Sequence, residues 1–97
     1  MIVRIGRDGG AALEDVDNFK AFKVVCDPLS DLHDPALAVV GRLEDGHFWV
    51  DQDWVRQRGR PEDADWAEGL GQMIAYAAKS GWISPTGAIR AHVEQES

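Results

Sequence analysis

One cysteine, Cys26, is the whole thiol content of this chain. No internal disulfide can form from it, and no thiolate-rich structural zinc site can be assembled. A reducing setting, the cytoplasm, is the expectation. Long apolar runs are also missing. No segment approaches the ~20 apolar residues of a membrane-spanning helix, and the opening MIVRI is too short for a secretory signal. The chain is therefore expected to be soluble, with no membrane partner. Positive charge is scarce, with 10 lysines and arginines against 17 acidic residues and a net charge of −7. Duplex-binding surfaces draw most of their affinity from phosphate neutralisation, so nucleic acid is not an expected partner. The one basic cluster, Arg56, Arg58 and Arg60, runs straight into Glu62 and Asp63.

Metal and phosphate motifs are lacking as well. His33, His47 and His92 have no His-x-x-x-His or HExxH spacing. Asp51-Gln52-Asp53 opens like a calcium loop, but Arg56 stands where that loop needs glycine. Gly6–Gly10 follows a strand without phosphate-loop spacing and reads as a turn. No cofactor or metal is expected.

What is present suits one α+β domain over residues 1–97, since 44% of the residues are apolar. Ile2–Ile5 is a short β-rich run stopped by glycines. Ala11–Asn18 reads as a loop or one helical turn. Phe19–Cys26 reads as a second strand and Asp27–Pro35 as a loop with a proline at each end. Residues 36–44 and 47–50 form the clearest hairpin, because Asp45-Gly46 suits a two-residue type I′ turn. That turn sets Glu44 opposite His47, Leu43 opposite Phe48, Arg42 opposite Trp49 and Gly41 opposite Val50. Arg42 would then lie over the Trp49 indole. Asp51–Gly59 reads as a charged connector. Residues 88–94 alternate Ile89, Ala91 and Val93 with Arg90, His92 and Glu94, a half-buried final strand. A mostly antiparallel sheet of four or five strands, with one helix across a face, is the expected assembly.

That helix, at about residues 61–80, is the most informative segment. Pro61 suits its first turn, Glu62, Asp63 and Asp65 its positive end, and Gly81 its C-terminus. Trp66, Leu70, Met73, Ile74 and Ala77 make one large apolar stripe. Ala64, Ala67, Gly71, Ala75 and Ala78 make a second stripe of small residues. Glycine inside a helix costs ~1 kcal/mol relative to alanine, so Gly69 and Gly71 point to close approach of another backbone.

Two functional readings follow. The first is a non-catalytic interaction or accessory module. It would form a homodimer, or dock on a larger protein, through Ala67, Gly71, Ala75 and Ala78. The second is a small enzyme or ligand-binding protein with a cleft between sheet and helix. Trp49, Trp54, Asp51, Asp53 and Arg56 would line that cleft, a grouping in which tryptophan and arginine concentrate binding energy. Cys26, His33 and His92 are its nucleophile or acid–base candidates. Cys26-Asp27…Asp31…His33-Asp34 is the densest polar grouping, yet it carries no oxyanion-hole glycine pattern and also fits ordinary turn chemistry.

Overall fold

The computed structural model describes residues 1–6, 10–26, 32 and 35–95. It is a small α+β fold in which six strands join in one mixed sheet, in the order β2-β1-β3-β6-β5-β4. β1 (Ile2–Ile5) and β2 (Ala11–Glu14) pair antiparallel, with Ile2 opposite Glu14. Residues 15–22 then cross the start of β1, and β3 (Lys23–Cys26) lies parallel to β1 on its other side. Asp15 takes φ +51°, a left-handed conformation that aspartate tolerates, and opens this crossing. The crossing wraps Met1, whose amine donates to the carbonyls of Asn18 (2.8 Å) and Ala21 (2.6 Å). Burial pushes the pKa of that amine down, an effect that nearby Asp15 opposes.

A five-residue 3₁₀ helix (Pro35–Val39) leads into β4 (Gly41–Glu44), which pairs with β5 (His47–Val50). The expected hairpin register is present residue for residue. Asp45 and Gly46 both have positive φ, at +54° and +80°, as a type I′ turn requires. α1 (Gln52–Arg58) and α2 (Ala64–Lys79) follow, and then β6 (Ile89–Gln95) closes the sheet. No helix among the described residues is long and apolar enough to cross a membrane.

β6 holds the two halves of the sheet together by changing partner along its length. Ile89, Ala91 and the residue between them pair antiparallel with β5. From His92 onward the strand pairs parallel with β3, with His92 opposite Lys23 and Val93 opposite Val24. The core lies on one side of this sheet, where Val3, Val24, Phe48, Val50 and Ala91 meet Trp54 and Val55 of α1 and Trp66 and Leu70 of α2.

Several expectations are corrected by this arrangement. The strand expected over 19–26 is shortened to Lys23–Cys26, because Phe19 packs its ring on Trp66 (6.2 Å between centroids) instead of entering the sheet. The strand expected over 36–44 begins only at Gly41. Pro35 starts a 3₁₀ turn that buries Leu37 and Val40 and leaves Val39 70% exposed, the reverse of strand alternation. Ala11–Glu14, expected in a loop, is an edge strand. The connector expected over 51–59 contains α1, capped by the Asp51 carboxylate, which accepts from the amides of Asp53 (2.8 Å) and Trp54 (3.2 Å). Asp63 caps α2 in the same way, so Pro61 precedes the helix rather than occupying its first turn. Three of the five strand pairings are antiparallel, in keeping with the mostly antiparallel sheet expected, while two are parallel and the strands number six rather than four or five. Arg42 pairs with the Glu44 carboxylate (3.1 Å), and the guanidinium–indole contacts lie elsewhere.

The two glycines of α2 separate cleanly. A Cβ on Gly69 would lie 2.5 Å from the Phe19 ring, which is itself held against Trp66. Gly69 is therefore explained inside the chain. A Cβ on Gly71 would meet nothing within 4 Å. Gly71→Ala should raise stability by about 0.5–1 kcal/mol through helix propensity, whereas Gly69→Ala should lower it. Urea denaturation midpoints check this pair, and a gain for Gly69→Ala would refute the Phe19 constraint.

Candidate functional site

α2 ends in a motif that builds one wall of a pocket. Gly81, at φ +78°, donates its amide to the Ala78 carbonyl (3.2 Å), and the Trp82 amide reaches back to Ala77 (2.8 Å). This is the Schellman closure, in which glycine supplies the left-handed residue and the next side chain folds onto the last turn. Trp82 accordingly meets the Tyr76 ring edge-on, 6.0 Å between centroids. The Trp82 carbonyl then accepts the Arg90 amide (2.8 Å), and the Arg90 guanidinium lies 5.6 Å from the centre of the indole.

Opposite this wall the crossing segment contributes Phe19, Lys20 and Phe22. Met73 and Ala77 of α2, Ile89 and His92 of β6 and His47 of β5 complete the lining. The cavity measures about 350 Å³. That is within the range of small-molecule sites, which are lined by apolar and aromatic groups with a few polar ones. It lies at the corner where β6 leaves β5 for β3. The β5 ladder ends at Phe48 opposite Ala91 and the β3 ladder begins at Lys23 opposite His92. A larger depression of about 670 Å³ beside Asp17 and Arg60 is more open, and a two-oxygen ion pair between those residues (2.7 and 2.9 Å) bridges it.

Charge at the first cavity is one-sided. Its ionisable lining is Lys20, His47, Arg90, His92 and Tyr76, with no carboxylate among the described residues that form it. Just outside, Glu94 stands 3.9 Å from His92 and receives Lys23 at 2.9 Å. The hydrogen bond and charge of Lys23 hold the Glu94 carboxyl below the ordinary carboxylate range, with His92 adding to the effect and desolvation opposing it.

The residues expected to line a cleft are not brought together. Trp54 is buried in the core with the Arg58 guanidinium 5.8 Å from its ring centre. Trp49 is half-buried and lines a separate hollow of about 360 Å³ with Arg42, Ser84 and Thr86. Asp51 is a helix cap, and Asp53 and Arg56 face each other at 3.7 Å along α1. Ala67, Gly71, Ala75 and Ala78 all lie exposed along α2. Cys26 is buried with its Sγ 3.8 Å from the Glu94 carbonyl, while Asp27, Asp31, His33 and Asp34 lie outside the described residues. His92 does reach the cavity, together with His47.

Phe19, Phe22, Tyr76, Trp82 and Arg90 escaped the sequence reading because no spacing unites positions so far apart. The one local signal was Gly81 followed by tryptophan, a helix stop that folds an indole back. No family model, curated protein or solved structure matches this chain.

Lys23→Met should return the Glu94 carboxyl towards its ordinary titration range, as read by side-chain carboxyl NMR shifts against pH. A carboxyl depressed by folding stabilises above its unfolded pKa and loses that contribution as pH falls through its folded value. The variant should therefore narrow the stability difference between neutral and acidic pH. An unchanged Glu94 midpoint would mean that the Lys23 contact is not formed in solution.

Proposed function

We propose that this chain is a non-catalytic ligand-binding module whose site is the cavity between the C-terminal half of α2, Trp82 and the corner of β6. The observation that carries this reading is the lining itself. Four aromatic rings, Phe19, Phe22, Tyr76 and Trp82, converge on one cavity with a methionine, beside a small set of polar groups. The polar groups in the lining, Lys20, His47, Tyr76, Arg90 and His92, are few and can supply the hydrogen bonds and charge that orient a ligand.

The neutral dye N-phenyl-1-naphthylamine tests the reading by fluorescence titration. Saturable binding at one site per chain is expected. Tyr76 is 65% exposed, so its replacement should leave the fold intact. Tyr76→Ser should weaken the dye about five-fold, or about 1 kcal/mol. A signal that rises without saturation, or an affinity indifferent to Tyr76→Ser, would remove the cavity as a binding site.

Self-association through α2 is a second reading, and Gly71 favours it. Nothing among the described residues lies close enough to require glycine there, although it costs ~1 kcal/mol in a helix. Ala67, Ala75 and Ala78 are exposed on the same helix. Two copies could bring their backbones close along that stripe. Light scattering over a concentration series should then give a dimer that Gly71→Leu weakens at least ten-fold while the chain stays folded. A monomer at every concentration would end this reading.

A further inference from the structure

We infer that the ligand of this cavity is a small organic anion, an apolar or aromatic body carrying one acidic head group. The inference rests on the binding reading above and names the chemistry of its ligand. Acidic residues outnumber basic ones 17 to 10 in the chain, yet the cavity draws only basic charge from it, in Lys20 and Arg90, together with His47 and His92.

Four described lysines and arginines, Lys20, Arg58, Lys79 and Arg90, have no carboxylate within 4 Å among the described residues, and two of them, Lys20 and Arg90, line the cavity. Arg4, Lys23, Arg42, Arg56 and Arg60 each face a carboxylate within 4 Å. Arg90 is half-buried, and its guanidinium stacks on Trp82. A guanidinium held over an indole still has N–H donors with which to meet a carboxylate or sulfonate. Arg90 and His92 are two apart on β6, so alternation sets them on one side of the strand. The β5 register, continued by one residue, brings His47 opposite His92. Arg90, His92 and His47 thus share one side of the sheet, and Lys20 of the crossing segment lines the same cavity. An organic acid matches both kinds of lining, its body against the aromatic and apolar side chains and its head at the cations.

The test compares two dyes of nearly the same shape. 1-Anilinonaphthalene-8-sulfonate carries the anionic head and N-phenyl-1-naphthylamine lacks it. Wild type should bind the sulfonate about ten-fold more tightly, the scale of one charge-assisted hydrogen bond. Arg90→Gln and Lys20→Gln should each remove most of that preference, read as the ratio of the two dye affinities within the same variant. Arg90→Lys should keep part of it. Arg58→Gln, at a cation remote from the cavity that also stacks on a tryptophan, should keep all of it. Circular dichroism establishes that each variant is folded, and if Arg90→Gln is not, exposed Lys20 decides. Equal affinity for the two dyes, or a preference that survives Arg90→Gln and Lys20→Gln, would overturn the anion inference while leaving the binding site in place. Failure of both dyes to bind would overturn the site and the inference together.

Discussion

The indole N–H of Trp66 donates to the Val16 carbonyl (2.7 Å) across 50 residues of chain, and this contact fixes α2 against the first half of the sheet. A buried tryptophan needs a partner for its one donor, and the crossing segment supplies it. The same indole is flanked by Gly59, where a Cβ would overlap its six-membered ring, and by Phe19. Phe19 lies in turn against Gly69. Two glycines and one phenylalanine are thus set by the position of a single ring. The linkage also explains why residues 15–22 leave the strand conformation, since Val16 and Phe19 serve the helix while Asn18 and Ala21 serve Met1.

The cavity follows from that constraint and from the behaviour of β6. Were β6 to pair with β5 and β3 along its whole length, the sheet would close flush. Instead its first residues belong to β5 and its last to β3, and Trp82 occupies the lane beside its start through the Arg90 amide. The corner so formed is roofed by Met73, Tyr76 and Ala77, the turns of α2 beyond the Trp66 anchor. The anchored end of the helix faces a packed core and the far end faces a hollow. On the proposed reading one helix would serve both stability and binding, with the boundary between the two near Leu70, which is fully buried.

The parts of this design that were legible in the sequence are those settled by neighbours. Asp45-Gly46 dictated a turn whose two positive φ angles fix the hairpin register, and the apolar spacing from Trp66 to Ala77 dictated α2. α1 was legible in principle. Asp51 as cap, Trp54 and Val55 as a buried pair, Arg56 and Arg58 in the last turn and Gly59 after it are ordinary helix signals, masked by the charge of the segment. The parallel pairings were not legible. They depend on which side of β1 the chain arrives after residues 15–22, and packing on Trp66 decides that. The site was hidden for the same reason. Its aromatic residues were each visible singly, but their convergence is a property of the β6 corner.

The overall acidity of the chain bears on what such a cavity can hold. At physiological ionic strength, exposed charges more than ~8 Å apart are largely screened, so the net −7 acts weakly on a ligand already seated. It acts more on a free anion approaching from solution. Lys20 and Arg90 attract such an anion locally, yet exposed or half-buried cations alone give little net attraction in water. A bare inorganic anion would therefore gain too little to stay. An anion with an apolar body gains from burial against the aromatic wall, at ~25 cal/mol per Å² of surface removed from water. On the proposed reading its head would then meet the guanidinium that lies over Trp82. Aromatic lining and unpaired cations would so act together, selecting an amphipathic shape rather than charge alone.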